Sequence, residues 1–204
     1  MRAASLALAF SVLALTQAVH ADVSTDPKRA PNGSYTLDTR HTQVLWAIPH
    51  YGITDFYGRF EKISGSLNFN AGAPEKSAVN VTIQMSSLNT PNGPLTTELA
   101  GNEVFDAQKF PTATFKSTSI QRTGPATGKI AGDLTLHGVT RPVTLDATFG
   151  GGLVDPLSGS NDLGFHATTT LHRADFGISG MSWDSLVGGD VKLIIEALFV
   201  QQKS

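Results

Sequence analysis

The chain has 204 residues, 15 Lys and Arg against 17 Asp and Glu, and no cysteine. That length suits one domain with a sizeable core, and the slight excess of acid gives no electrostatic reason to bind nucleic acid or anionic head groups. The absence of cysteine excludes disulfides, thiolate catalysis, cysteine metal sites and a lipid-modified N-terminal cysteine, so stability has to come from burial and backbone pairing.

In chain order, residues 1–21 read as a secretory signal peptide. Met1-Arg2 is a basic start, Ala3 through Leu15 is an apolar run broken only by serines, and Val19-His20-Ala21 supplies a cleavage site before Asp22. The run is shorter than the ~20 apolar residues that span a bilayer, so no membrane span is expected and the mature chain is expected to be periplasmic or secreted. Residues 22–34 carry Asp26-Pro27, Ala30-Pro31 and Asn32-Gly33, which predict a flexible leader ending in a turn.

Period-two alternation then dominates. Val44, Trp46, Ile48 and His50 share one face against Gln43, Leu45 and Ala47. Ile63, Gly65, Leu67 and Phe69 repeat the pattern, as do Val79, Val81, Ile83 and Met85. Leu95 to Phe110 breaks the rhythm: Leu99, Val104, Phe105 and Phe110 fall at roughly helical spacing before Pro111, which predicts short helical turns lying across the sheet. Leu134 and Leu136 resume the alternation up to His137-Gly138-Val139-Thr140-Arg141-Pro142, read as a hairpin turn with Pro142 opening the next strand. Val143, Leu145, Ala147 and Phe149 follow, then a longer loop is expected around Gly150-Gly151-Gly152 and Asp155-Pro156. The last strand carries Val191, Leu193, Ile195, Ala197 and Phe199, with Ile194, Leu198 and Val200 on its other face, as though covered on both sides. Many short strands with one helical interruption fit a sandwich or a closed antiparallel barrel. Gly65, Gly132 and Gly164 at in-facing positions allow either a bend or a close approach to the backbone.

Five blocks, in order, resemble the YceI family. The first runs from Tyr35-Thr36-Leu37-Asp38 and His41-Thr42 through Val44-x-Trp46-x-Ile48-x-His50 to Gly58-x-Phe60. Next come Val104-Phe105-Asp106 with Phe110-Pro111 and Phe115-x-Ser117-Thr118, then the hairpin from Gly132-Asp133 to Val143-x-Leu145. His172-Arg173-x-Asp175-Phe176-Gly177-Ile178 and Val187-Gly188-Gly189-Asp190-Val191 complete the set. The resemblance implies a mainly β chain whose residues 35–204 form an extended, lipocalin-like antiparallel barrel of eight strands with a short helical lid. It further implies an exported protein that holds a long isoprenoid lipid, of the polyprenyl phosphate or quinone type, for transport, storage or sequestration. Two positions depart from the family pattern: Glu98-Leu99 stands where a histidine-leucine pair is usual, and Trp46 where phenylalanine is common.

The expected ligand-lining residues are Val44, Trp46, Ile48, Phe60, Leu67, Phe69, Val81, Ile83, Phe105, Phe110, Phe115, Leu134 and Leu145, with Arg173 as a candidate head-group partner. The competing reading of each apolar residue is ordinary core packing, and of Asp38, Asp175 and Arg173 turn hydrogen bonds and a structural ion pair. No cofactor or metal is expected: His41 and His50 lie nine residues apart on a strand, without a preorganised pair. Nor is catalysis expected, because Ser64-Gly65-Ser66 and Ser158-Gly159-Ser160 lack the shape of a nucleophile elbow. The alternatives are an exported lipid enzyme using Asp38 and His41, and an envelope accessory protein whose barrel is packed solid. A homodimer through a strand edge or the lid is compatible with the sequence.

Overall fold

The computed structural model describes residues 22–202, so the predicted signal peptide lies outside the described residues. The alternating segments pair into one sheet that curls until its first and last strands meet. The strands are β1 (Gly33–Leu37), β2 (Gln43–His50), β3 (Thr54–Phe60), β4 (Ile63–Phe69), β5 (Ala78–Gln84), β6 (Leu88–Asn89), β7 (Thr112–Arg122), β8 (Thr127–Leu136), β9 (Val139–Val154), β10 (Asn161–His172) and β11 (Asp190–Gln201), with one helix, α1 (Gly93–Ala100). Every pairing is antiparallel, and β1–β4–β5–β7–β8–β9–β10–β11 closes through β11 back onto β1 as an eight-stranded barrel.

The barrel is extended because three of its walls are long strands broken in the middle. β1 pairs with the C-terminal end of β11 (Leu37 opposite Phe199), and after a turn β2 pairs with the N-terminal half (Gln43 opposite Glu196). β3 and β4 stack likewise as the second wall, and β5 with β6 as the third. The break between β1 and β2 is held by Asp38, whose carboxylate accepts the Arg40 N–H at 2.8 Å, and by Thr42, whose Oγ1 accepts the Leu198 N–H at 3.2 Å. Closure of β1 onto β11 removes the open edges there, and the β2–β3–β6 branch ends at the two-residue β6.

The local chemistry explains most of the joints. His137 and Gly138 both have positive φ (52° and 74°), the mirror-image turn that matches strand twist, so β8 runs directly into β9. β9 therefore opens at Val139, and Pro142 lies three residues inside it on the outer face, opposite Asp133. The loop expected at Gly150–Gly152 is instead strand. The pairing register with β10 shifts between Gly164 and Phe165, so Gly150 is the extra residue of a bulge, and a Cβ there would lie 2.7 Å from His166 Nε2. Only Asp155–Ser160 turns, closed by the Asp155 N–H to Ser160 carbonyl bond at 2.8 Å. The leader expected to be flexible is placed against the barrel: Ser24 bridges Gly152 through two backbone bonds, and Tyr35, fully buried, donates its hydroxyl to the Pro31 carbonyl at 2.7 Å. The outer face of β11 is half-buried by cross-strand neighbours, Leu45 standing opposite Ile194.

Candidate functional site

In-facing side chains alternate along every wall, and they do not fill the barrel. Two chambers lie end to end inside it. The lower one, of about 210 Å³, is walled by hydrocarbon from β4, β5 and β7–β11. The upper one, of about 520 Å³, reaches α1 and the connection from β10 to β11. Val44, Ile83, Leu134 and Leu193 line both and form the waist between them. The upper chamber alone falls within the ~300–1,000 Å³ of ordinary small-molecule sites.

Of the fourteen residues expected at the site, eight line the lower chamber: Val44, Leu67, Phe69, Val81, Ile83, Phe115, Leu134 and Leu145. Trp46, Ile48, Phe60, Phe105 and Arg173 line the upper one with the waist residues Val44, Ile83 and Leu134. Phe110 lines neither. It packs outside the lumen on the β8–β9 hairpin, its ring 4.6 Å from that of His137 and so close to Gly138 that a Cβ there would meet it at 2.5 Å. Phe110 precedes Pro111 at the point where the lid segment returns to the sheet, so helical spacing alone misplaced it.

Alternation marks three of the four phenylalanines at the floor of the lower chamber, Phe69, Phe149 and Phe199, but not Phe165. Phe69, Phe149, Phe165 and Phe199 form a linked aromatic cluster, with Phe149 and Phe165 centroids 5.3 Å apart and Phe165 and Phe199 6.0 Å apart. Glycines shape the walls through close packing. At Gly65 a Cβ would meet the Asn80 carbonyl at 2.6 Å, and at Gly132 the Lys116 carbonyl and the Phe115 ring, each at 2.5 Å. Opposite Trp46, Gly58 leaves its Cβ volume to the indole, whose Cζ2 would lie 2.1 Å from that atom. Trp46 Nε1 is buried with no hydrogen-bond partner among the described residues.

α1 and the loop after it roof the upper chamber. Asn92 caps the helix by accepting the Leu95 N–H at 3.2 Å, Pro94 suits its first turn, and Leu99 is its one buried residue. Phe105 packs edge-on against Phe60, centroids 6.2 Å apart. The second half of the roof is residues 177–189, tied down from below by Arg173. This buried guanidinium donates from Nη1 to Asp184 at 2.7 Å and to the Ile178 carbonyl at 3.0 Å, and from Nε to the Gly188 carbonyl at 3.1 Å. Burial pushes the Asp184 carboxyl up, but the Gly180 N–H and the Arg173 guanidinium hold it on balance below the ordinary aspartate range. Trp183 joins the two halves by donating its indole N–H to Glu98 on α1 at 3.2 Å.

The remaining polar candidates separate. His50 lines the upper chamber, its ring edge-on to Tyr51 at 4.3 Å. Asp38 and His41 are hydrogen-bonded at 2.8 Å but line neither chamber, and Asp175 is exposed. Burial works to raise Asp38, but the His41 and Arg40 hydrogen bonds leave it lowered overall. Among the described residues no group of three His, Asp or Glu is arranged to hold a metal ion, and no helix is long and apolar enough to cross a membrane.

Residues 35–199 match the family model described as the YceI-like domain. A UPF0312 protein of Pseudomonas putida strain F1 is 37% identical over 177 residues, 87% of this chain and 86% of the relative. The Campylobacter jejuni YCEI protein crystal structure is 29% identical, with a TM-score of 0.68 over 74% of this chain and 88% of that one. A polyisoprenoid binding domain from Saccharophagus degradans shares the fold at 16% identity, with a TM-score of 0.62 over 82% of this chain and 98% of that one.

Proposed function

The chain belongs to the YceI family, and from that premise we propose that it is an exported, non-enzymatic carrier that holds the isoprenoid chain of one lipid along the barrel axis. The observation that carries this reading is the lumen: two apolar chambers in line, meeting at a waist of Val44, Ile83, Leu134 and Leu193. A barrel of eight strands either fills with its own side chains or encloses one slender ligand, and this one is hollow. The shared fold of the polyisoprenoid binding domain from Saccharophagus degradans supports the same ligand class.

Magnitudes favour a tail-driven site. Burying a methylene contributes about 0.8 kcal/mol, so each five-carbon prenyl unit offers about 3–4 kcal/mol before costs. Association and ordering costs consume several such units, and the remainder still binds tightly without a charged anchor. Affinity then resides in the hydrocarbon walls, and polar groups only choose the head. The Asp38–His41 pair, outside both chambers, is badly placed to act on a lipid inside them.

Gentle purification of the exported protein, followed by organic extraction and mass spectrometry, is expected to release about one isoprenoid lipid per chain. Phe115→Asp puts a carboxylate into the lower wall and is expected to abolish retention in a protein that still folds by circular dichroism. Equal lipid occupancy in that variant and the wild type, or no extractable lipid in the wild type, overturns the reading.

A further inference from the structure

We infer that the head group selected by this barrel is uncharged: the lipid ends in a hydroxyl or a quinone ring, not in a phosphate or pyrophosphate. This rests on the carrier reading above and names the ligand class within it.

The head belongs in the upper chamber, which is the roomier of the two and carries His50, Asn92, Glu98 and Arg173 on its walls. Arg173 is its only Lys or Arg among the described lining residues, and the charge of that side chain is already spent. Asp184 sits 2.7 Å from Nη1, two backbone carbonyls take further N–H groups, and the Trp183 ring covers the guanidinium at 5.9 Å. Hydrogen bonds from Gly180 and Arg173 outweigh the effect of burial on Asp184 and keep it ionised at neutral pH.

Against that compensated cation stands a second carboxylate, Glu98, on the roof helix. A phosphate monoester brings a charge of roughly −1.5 to −2 at neutral pH. Placed here it would meet the Glu98 carboxylate and an arginine already paired with Asp184, and drawing Arg173 away would strip Asp184 of its partner and untie residues 177–189. A buried anion without its own counter-charge is strongly disfavoured, whereas a hydroxyl or carbonyl needs only neutral partners. At the far end of the lumen Arg122 lies exposed and donates to the carbonyls of Gly124 at 2.7 Å and Pro125 at 2.9 Å, holding the β7–β8 turn.

The test is competitive binding of geranylgeraniol and geranylgeranyl monophosphate, identical in tail, to the lipid-stripped mature protein at neutral pH. The alcohol is expected to bind at least about tenfold tighter. Glu98→Gln, on an exposed roof position that leaves the fold intact, is expected to narrow that ratio, and Asp184→Asn to narrow it further by releasing Arg173. A monophosphate that binds the wild type as well as the alcohol overturns the inference while leaving the carrier reading standing. So does a ratio unmoved by either variant, or monophosphate binding that depends on Arg122 in an Arg122→Ala variant. Failure of both probes to bind overturns the carrier reading as well.

Discussion

A single glycine decides whether the upper chamber can hold its largest wall residue. Trp46 stands across the β2–β3 ladder from Gly58, and the indole occupies the volume in which any other residue would place Cβ. Gly58→Ala is expected to cost about 1–3 kcal/mol in denaturant unfolding, as overpacked interiors do. Adding Trp46→Phe is expected to recover most of the loss, giving a coupling free energy of opposite sign in a double-mutant cycle. Additive losses would place the cost in the β3 backbone and not in the indole. At this scale most of the walls and three of the four floor phenylalanines were legible, and Phe165 was not. Alternation identified Val44, Trp46 and Ile48 by their shared parity along the strand, although Ala47 between them is itself buried. It passed over Phe165 because β10 alternates Phe165, Ala167 and Thr169 inward against His166 and Thr168 outward, and small or hydroxylated lining residues carry little hydropathy contrast. Arg173 was visible as a motif residue; its pairing with Asp184, eleven positions on, had no local signal.

Elements were legible in proportion to the regularity of their pairing. β4, β5 and the first half of β9 announce themselves by a clean period of two, whereas β2 and β11 carry apolar residues on both faces. β6 is two residues long and exists only because Phe60 finds Leu88 across a ladder, a long-range fact that no local pattern encodes. The roof is the other such element. Residues 177–189 carry no regular structure beyond an isolated bridge of Val187 to His50 and are fastened by side chains, chiefly Arg173 to Asp184 and Trp183 to Glu98. Their fastening has a pH dependence of fixed sign. The folded state holds Asp184 below its ordinary value, so the unfolded or detached segment takes up the proton first. The contribution is fully present above the ordinary aspartate value of about 3.9 and fades as pH falls through that value toward the lower folded one. In a Trp46→Phe background Trp183 is the only tryptophan, and its emission is expected to shift to the red below about pH 4, before global unfolding by circular dichroism. Asp184→Asn is expected to show the red-shifted emission already at neutral pH. An emission spectrum constant down to the global acid transition would mean that the roof does not hang on this pair.

The molecule as a whole is a closed sheet wrapped around an incompletely filled axis, and that combination separates stability from ligand capacity. The Phe69, Phe149 and Phe165 cluster ties β4 to β9 and β10 across one end of the lumen, while the waist residues Val44, Ile83, Leu134 and Leu193 face a void on both sides. Enlarging a residue that points into empty space restores packing contacts in place of straining them. Leu134→Trp is therefore expected to fold with stability within about 1 kcal/mol of the wild type, or above it, unlike the same change in a filled core. Its effect on binding is expected to depend on tail length. A long polyprenol that must thread the waist is expected to lose at least about tenfold in affinity, the equivalent of roughly two buried methylenes, whereas farnesol, short enough for the upper chamber, is expected to bind nearly as before. Parallel titrations of the two alcohols check this. If both lose affinity equally, the chambers are one undivided site; if neither does, the tail never passes Leu134, and the lower chamber is a packing defect of the barrel with no part in holding the lipid.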